Sequence, residues 1–307
     1  MANQKHRPAA SGKAQQQTPK LKLWIAGARL RTLPLAVAPV LLGACAPLAV
    51  QQFKPLLFWL ALAVALLLQI GVNYANDYSD GIRGTDEVRV GPLRLTGSTA
   101  VPAAMVKRAA FICFGAAALA GLVIVLLTQY WWLIAVGVSC ILAAWFYTGG
   151  KRPYGYAGLG ELAVFIFFGL VATVGTSYIQ ERTVDQTSVI FGVAAGCFAV
   201  AVLLVNNLRD IKQDKLVGKR TLSTRIGAGW TKALFVFNLW LPLAIAVLVS
   251  VVYNPAIYGL GAIFLVGPAT LILFQAKSPK DLITVLKLSS YASLAFALLE
   301  LFAFSIQ

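Results

Sequence analysis

Apolar runs long enough to cross a bilayer recur along nearly the whole of this 307-residue chain, and they constrain its fold more than any other feature. About 20 consecutive apolar residues in a helix span the hydrocarbon core of a membrane. The chain is 59% hydrophobic and only 12% charged, whereas roughly a quarter of the residues of a soluble domain are charged. We therefore expect an all-α polytopic membrane protein.

Polar and Pro/Gly-rich breaks divide the chain into nine predicted transmembrane helices, which we expect to pack in a single bundle. They are Leu33–Val50, Leu56–Tyr78, Ala109–Leu127, Trp131–Tyr147, Leu159–Ile179, Val189–Leu208, Ala233–Val252, Ile257–Phe274 and Leu288–Phe304. Pro34, Pro39 and Pro47 are expected to bend or interrupt the first of them. Residues 21–307 would form one transmembrane domain, after a basic, Gln-rich and disordered tail over residues 1–20.

The basic residues predict the orientation of the bundle. Of the 26 Lys and Arg residues, all except Lys54 and Arg182 fall on one side of the predicted spans. By the positive-inside rule that side is cytoplasmic, which places the N-terminus in the cytoplasm and, after nine spans, the C-terminus outside. The net charge of +15 is thus a topology signal, and we expect no nucleic-acid partner. The four cysteines each lie in a separate apolar segment and have no metal-ligand or disulfide spacing.

Acidic residues are rare in this chain, and six of the eleven lie in two segments where a predicted helix leaves the membrane on the basic side. The first segment contains Asn73, Asp77, Asp80, Asp86 and Glu87, and the second contains Asn206, Asp210 and Asp214. At 3.6 residues per turn, the second set of three falls within an arc of roughly 80°, and Asn73, Asp77 and Asp80 fall within roughly 60°. Each helix end therefore carries one amide and two carboxylates as a polar stripe.

These two stripes predict a metal site. Carboxylates at a helix C-terminus oppose the macrodipole and need a positive partner. Mg²⁺ prefers oxygen ligands and binds proteins through a few carboxylates together with substrate phosphates. If the stripes face one another, Asp77, Asp80, Asp210 and Asp214 would form a cage of four carboxylates, with the two asparagines beside them. Solvated helix ends would explain one stripe but not two.

Basic residues flank both stripes and are candidates for a diphosphate site, although topology accounts for many of them equally well. The candidates are Arg83, Arg94, Lys151 and Lys215, together with Tyr147, which precedes the short loop containing Lys151.

At these residues the chain resembles the UbiA superfamily of intramembrane prenyltransferases. The resemblance extends over about residues 22–305 and rests on two NxxxDxxxD-type motifs, on the second and sixth of nine helices, and on the Tyr147-xxx-Lys151 element. The first motif has a shorter gap between its acids. The segments NDYSDGIRGTDEVRVGPLRLTGS, YTGGKRPYGYAGLGELAVFIFFG and NNLRDIKQDKLVGKRTLSTRIG are most similar to the 1,4-dihydroxy-2-naphthoate branch. The order Gly91-Pro92-Leu93-Arg94 differs from the Arg-Pro-Leu of the 4-hydroxybenzoate and haem O branches.

The resemblance implies a Mg²⁺-dependent enzyme of the bacterial inner membrane, with its active site facing the cytoplasm. It would transfer a polyprenyl group from polyprenyl diphosphate to 1,4-dihydroxy-2-naphthoate, with loss of diphosphate and CO₂, giving demethylmenaquinone. Arg29, Arg31 and Glu161 are candidates for contacts with the acceptor.

Three alternatives were weighed against this interpretation. Another aromatic acceptor, such as 4-hydroxybenzoate, stays open. A CDP-alcohol phosphotransferase requires a contiguous DGxxAR signature, and Asp80-Gly81-Ile82-Arg83 lacks that spacing. A cation transporter predicts acids near the middle of the membrane, whereas these lie at the helix ends.

Overall fold

The structure is a computed structural model that describes residues 20–84 and 94–306. The predicted disordered tail, Asp86, Glu87 and the Gly91-Pro92-Leu93 segment lie outside the described residues, apart from Lys20. Everything regular in the described part is helical. Its helices are α1 (Lys20–Ala28), α2 (Pro34–Gly43), α3 (Cys45–Ala49), α4 (Pro55–Ile82), α5 (Ala103–Thr128), α6 (Leu133–Phe146), α7 (Gly160–Glu181), α8 (Gln186–Leu216), α9 (Leu222–Ser250), α10 (Asn254–Gln275) and α11 (Pro279–Ser305).

Seven of these helices, α4, α5 and α7 to α11, are long and apolar enough to cross a membrane. Two further apolar segments, Leu21–Thr32 and Pro34–Ala49, meet at an angle of 49° and would make an eighth span if they cross a membrane together. The helix breaks before Pro34 and again between Gly43 and Cys45, in the turn before Pro47, whereas Pro39 lies inside α2. The predicted interruption is therefore found near two of the three prolines. The helix α6 is apolar but has only 14 residues.

The helix α8 lies at the centre of the bundle. Of its apolar window, 78% is buried, compared with at most 44% for the other long helices. Small residues permit this burial by letting neighbouring backbones approach closely. A Cβ added at Gly196 would lie 2.6 Å from the ring of Phe165 in α7, and one at Gly169 of α7 would lie 2.6 Å from the carbonyl oxygen of Gly192. The segment Phe165–Val171 that packs here is a π-helix.

The helices α4 and α8 continue beyond the ends predicted from the apolar runs. Apolarity ends near Tyr78 and Leu208, but the helices end at Ile82 and Leu216. Hydropathy marks where side chains become polar, not where backbone hydrogen bonding stops. The acidic stripes are therefore helical, and Asp77, Asp80, Asp210 and Asp214 are all buried.

Candidate active site

A cavity of about 600 Å³ is lined by α4 and α8 together with α2, α5, α6 and α7, and it extends from the acidic helix ends into the bundle. Near the acidic helix ends its wall is polar and includes Asn76, Asn206 and Tyr147. Deeper in the bundle the wall is apolar, with side chains such as Ile124 and Ile179. The asparagines of both stripes, Asn73 and Asn206, thus line one cavity, which joins a polar end to an apolar interior. The four aspartates are not part of this wall and lie further along the same two helix ends.

Asp80 lies at the centre of the polar end. Its Oδ1 accepts hydrogen bonds from the Tyr156 hydroxyl and from Lys219 Nζ at 3.2 Å, and its Oδ2 lies 3.9 Å from the Arg94 guanidinium. Lys219 also lies over the ring of Tyr156, 4.4 Å from its centroid. A carboxylate from α4 is thereby surrounded by groups from three different loops.

Two loops dock on each other to bring Tyr156 and Lys219 to Asp80. The amide of Arg220 donates to the carbonyl of Tyr156 at 2.9 Å, and the Arg225 guanidinium donates to the carbonyl of Ala157 at 2.8 Å.

Burial raises the pKa of Tyr154 to about 12. Its phenol therefore stays protonated at neutral pH and donates to the carbonyl of Ala143 at 2.8 Å.

Asp77 holds the turn that follows the first stripe. The carboxylate is fully buried, and its two oxygens accept the amides of Leu95 and Thr96, both at 2.8 Å. Neighbouring Asn73 lines the cavity and donates to the carbonyl of Ala28 in α1 at 2.9 Å. Both residues of the predicted metal set thus make hydrogen bonds to the backbone of neighbouring segments.

The second stripe is organised around Arg209. Its guanidinium donates to both oxygens of Asp210, at 2.7 and 2.6 Å, and to Oδ1 of Asn206 at 2.9 Å. Only 5% of the Arg209 side chain is exposed. Asp214 is buried one turn further along, and its carbonyl accepts the amide of Lys219 at 2.8 Å.

The donor chemistry of the site fits Mg²⁺. The stripes offer carboxylate and amide oxygens, the ligands that hard divalent cations prefer. In this structure Asp80 is paired with Lys219, and Asp210 is paired with Arg209. A metal bound by these carboxylates would therefore replace one positive partner by another. Within residues 20–84 and 94–306, no three acidic, His or Cys side chains form a single metal-binding group. Metal binding by these residues stays a prediction.

The basic residues predicted for the diphosphate site differ in exposure and in their contacts. Lys151 and Lys215 are exposed near the polar end, whereas Arg83 donates to the carbonyls of Thr148 and Gly150 and so holds the loop after α6.

The predicted acceptor residues also differ in position. Arg29 lines the cavity, and Arg31 is half-buried, with its carbonyl bound by Ser290 at 2.8 Å. Glu161 is buried in α7 and accepts the amide of Asn207 at 3.0 Å, a contact that joins α7 to α8.

Several contributors were not predicted from the sequence. Asn76 lines the cavity and accepts the Thr148 hydroxyl at 2.7 Å. It precedes Asp80 by four residues, the same spacing that separates Asn206 from Asp210, and this repeated spacing was the available signal. Lys219, among the basic residues after the second stripe, and Tyr156 had no signal that set them apart, because loop docking brings them to Asp80.

Comparison with known proteins identifies the class. The model of the UbiA prenyltransferase family matches residues 36–291, and the chain belongs to that family. Among its relatives, 1,4-dihydroxy-2-naphthoate octaprenyltransferase of Mycobacterium tuberculosis is 47% identical over 278 residues, which cover 90% of this chain and 94% of the relative. The Mycobacterium leprae protein of the same name is 49% identical over 215 residues, 69% of this chain and 72% of the relative.

A solved structure shares the fold. It is a UbiA homologue from Archaeoglobus fulgidus bound to GPP and Mg²⁺, with a TM-score of 0.59 and 14% identity. The match covers 89% of this chain and 99% of that one.

Proposed function

We propose that this protein is a Mg²⁺-dependent aromatic prenyltransferase of menaquinone biosynthesis. It transfers a polyprenyl group from polyprenyl diphosphate to 1,4-dihydroxy-2-naphthoate, and diphosphate and CO₂ leave. The observation that carries the proposal is the cavity that has asparagines of α4 and α8 at one end, next to the buried aspartates of the same helix ends, and an apolar interior at the other. Such a cavity suits a substrate with a diphosphate head and an isoprenoid tail. The relatives named above support the choice of acceptor.

The residues that we propose to hold Mg²⁺ are oxygen donors from the two stripes: Asn76, Asp80, Asn206, Asp210 and Asp214. When bound, Mg²⁺ supplies Lewis-acid stabilisation of the charge that develops on the leaving diphosphate. Asn73 and Asp77 were predicted for the same set, and we now assign them the supporting role that their hydrogen bonds indicate.

Cationic side chains of this chain would hold the diphosphate. Lys219 and Arg94 beside Asp80, and Arg209 beside Asp210, are positioned to exchange a carboxylate partner for a phosphate oxygen. Lys151 and Lys215 at the rim would attract the anion. Arg83 supports the loop, and Tyr147 forms part of the wall around the reacting carbon.

The reaction breaks the bond between the allylic carbon and the diphosphate oxygen. The electron-rich ring carbon that bears the carboxylate attacks the allylic carbon, and the new carbon–carbon bond forms as the bond to the carboxylate breaks and CO₂ leaves. The product is the quinol form of demethylmenaquinone, so no oxidant is required. The apolar wall keeps water from the allylic cation. Leu122, Ile134 and Val138 line the cavity and are also exposed, which supports a lateral opening for the isoprenoid tail.

We further propose the topology in which this site works. Nine elements would cross the bacterial inner membrane as one domain over residues 21–307: the bent first pair, the seven long helices and the short α6. The asymmetry of Lys and Arg supports a cytoplasmic N-terminus and active site, and an external C-terminus.

The acceptor is tested directly with membranes that contain the protein. They are incubated with Mg²⁺, radiolabelled polyprenyl diphosphate and either 1,4-dihydroxy-2-naphthoate or 4-hydroxybenzoate. We expect lipid-soluble product with the naphthoate only, and none after chelation of the metal. Product from 4-hydroxybenzoate alone would show that the proposed acceptor is wrong and that 4-hydroxybenzoate is used instead. Product from neither compound would contradict the proposal. Membranes with Asp80→Asn at equal protein level are the control.

A further inference from the structure

Gln69 is a polar side chain on the cavity wall within an otherwise apolar stretch of α4. It precedes Asn76 by seven residues, which places both on one face of the helix and separates them by roughly 10 Å along its axis. The side chain is 6% exposed and belongs to the wall of the cavity. Its neighbours Leu68 and Val72 also line the cavity and are apolar.

The hydrogen bonds around Gln69 determine which end of its amide is used. The Thr32 hydroxyl donates to the carbonyl of Arg29 at 2.9 Å, so its oxygen is left as an acceptor. That oxygen accepts Gln69 Nε2 at 3.1 Å and Asn73 Nδ2 at 3.3 Å. The amide nitrogen of Gln69 is therefore bound to Thr32, while its carbonyl oxygen, Oε1, is buried and has no hydrogen-bond partner among the residues that the structure describes.

A buried acceptor without a partner is unfavourable, and most such groups in proteins are satisfied. In the wall of a ligand cavity, the ligand can supply the missing donor. The terminal torsion of a glutamine is broad, so the amide of Gln69 can turn to meet a donor on a ligand in the cavity.

The chemistry of Oε1 selects among the ligands of the proposed reaction. A diphosphate offers only acceptor oxygens and negative charge, and an isoprenoid tail offers no polar hydrogen. A ring hydroxyl is a donor. We propose that Gln69 accepts a hydrogen bond from a ring hydroxyl of the aromatic acceptor and so favours a hydroxylated ring, an inference that rests on the function proposed above.

The surroundings of Gln69 fit such an acceptor. Leu68 and Val72 flank it along α4 and Leu35 of α2 contributes to the same wall, which gives apolar contact for an aromatic ring. Arg29 lines the cavity as well and offers positive charge for the ring carboxylate. This arrangement places the acceptor on the side of α2 and α4 and leaves the side of Arg209 and Lys219 to the diphosphate.

The test compares wild type with Gln69→Met, which keeps the length of the side chain and removes its amide. Leu67→Met is the matched control on the same helix, at a position outside the wall of the cavity. We expect Gln69→Met to raise the KM for 1,4-dihydroxy-2-naphthoate by roughly tenfold, the effect of one lost hydrogen bond to a buried group. The KM for polyprenyl diphosphate should stay at the wild-type value, and Leu67→Met should change neither. Equal increases in both KM values, or an unchanged acceptor KM, would overturn the assignment.

A second measurement has its main arm on the wild-type protein, so that arm does not depend on the folding of a variant. The wild-type protein is inhibited with 1-hydroxy-2-naphthoate, 4-hydroxy-2-naphthoate and 2-naphthoate, which differ only in their hydroxyls. We expect 2-naphthoate to bind roughly tenfold more weakly than the better hydroxylated compound, and Gln69→Met to abolish that difference. Equal inhibition by all three would overturn the inference. A wild-type protein that forms no product with any acceptor would contradict the proposed function itself, a separate result.

Discussion

Replacing Asp77 by Asn tests whether this residue acts through the turn at residues 94–99. Asp77 is fully buried, and each of its carboxylate oxygens accepts one backbone amide, from Leu95 and from Thr96, at 2.8 Å. Asparagine has nearly the same shape, but its NH₂ group would face one of these two N–H donors. One hydrogen bond to a charged group is lost, and one buried amide is left without an acceptor.

The magnitude follows from these two contacts. A hydrogen bond to a charged group contributes about 1.5–3 kcal/mol. With about 2 kcal/mol lost, the turn opens roughly 30 times more often, since RT is about 0.6 kcal/mol. Arg94 begins this turn and lies 3.9 Å from Asp80, so a loosened turn also weakens the polar end of the cavity, and we expect turnover to fall.

Hydrogen exchange measured by mass spectrometry on the purified protein reads the turn directly. We expect Asp77→Asn to speed amide exchange at residues 95–96 by roughly 30-fold, and to leave exchange in α5 unchanged. Asp80→Asn is the control, because Asp80 contacts side chains and not these amides. It should lose activity while the turn stays protected. Exchange at Leu95 and Thr96 as slow in Asp77→Asn as in wild type would refute the anchoring role.

Three further substitutions test other parts of the site and the fold. Asp210→Ala removes a proposed metal ligand and should lower turnover by at least about 100-fold at an unchanged level of inserted protein; near-normal turnover would contradict the site. Lys219→Met should raise the KM for polyprenyl diphosphate by roughly tenfold and leave the KM for the acceptor unchanged, and the reverse pattern would argue against a diphosphate role. Gly196→Leu would meet a phenyl ring of α7 and should destabilise the protein by about 1–3 kcal/mol, measured as thermal unfolding in detergent. Gly115→Leu is the control, since nothing lies within 4 Å of a Cβ added at Gly115, and equal stability of the two variants would refute the close packing.

Much of the fold could be predicted because a membrane simplifies the problem. Apolar runs of sufficient length specify where helices lie, and all the long helices of the described residues were predicted. The ends of the helices were harder to predict, because α4 and α8 continue through polar residues to Ile82 and Leu216. The break in the first span followed from Pro34, which fits the first turn of a helix but ends the one before it.

The site could be predicted only to the level of the two stripes. Periodicity brought Asp210 and Asp214 to one face of a helix, but it did not single out Asn76, which lines the cavity together with Asn73 and accepts the Thr148 hydroxyl. Which polar side chains of α4 reach the cavity depends on how the neighbouring helices pack against it. The role of Tyr156 depends on long-range loop docking, which one sequence does not reveal.

The central claim is that this cavity joins a polyprenyl group to a dihydroxynaphthoate ring as diphosphate and CO₂ leave. The most direct measurement uses 1,4-dihydroxy-2-naphthoate labelled with ¹⁴C in its carboxyl group, with released CO₂ and released diphosphate counted in the same reaction. We predict that the two are released in equal amounts, that both require Mg²⁺, and that the lipid product contains no label. Diphosphate released without CO₂, or a prenylated product that keeps the label, would contradict the account.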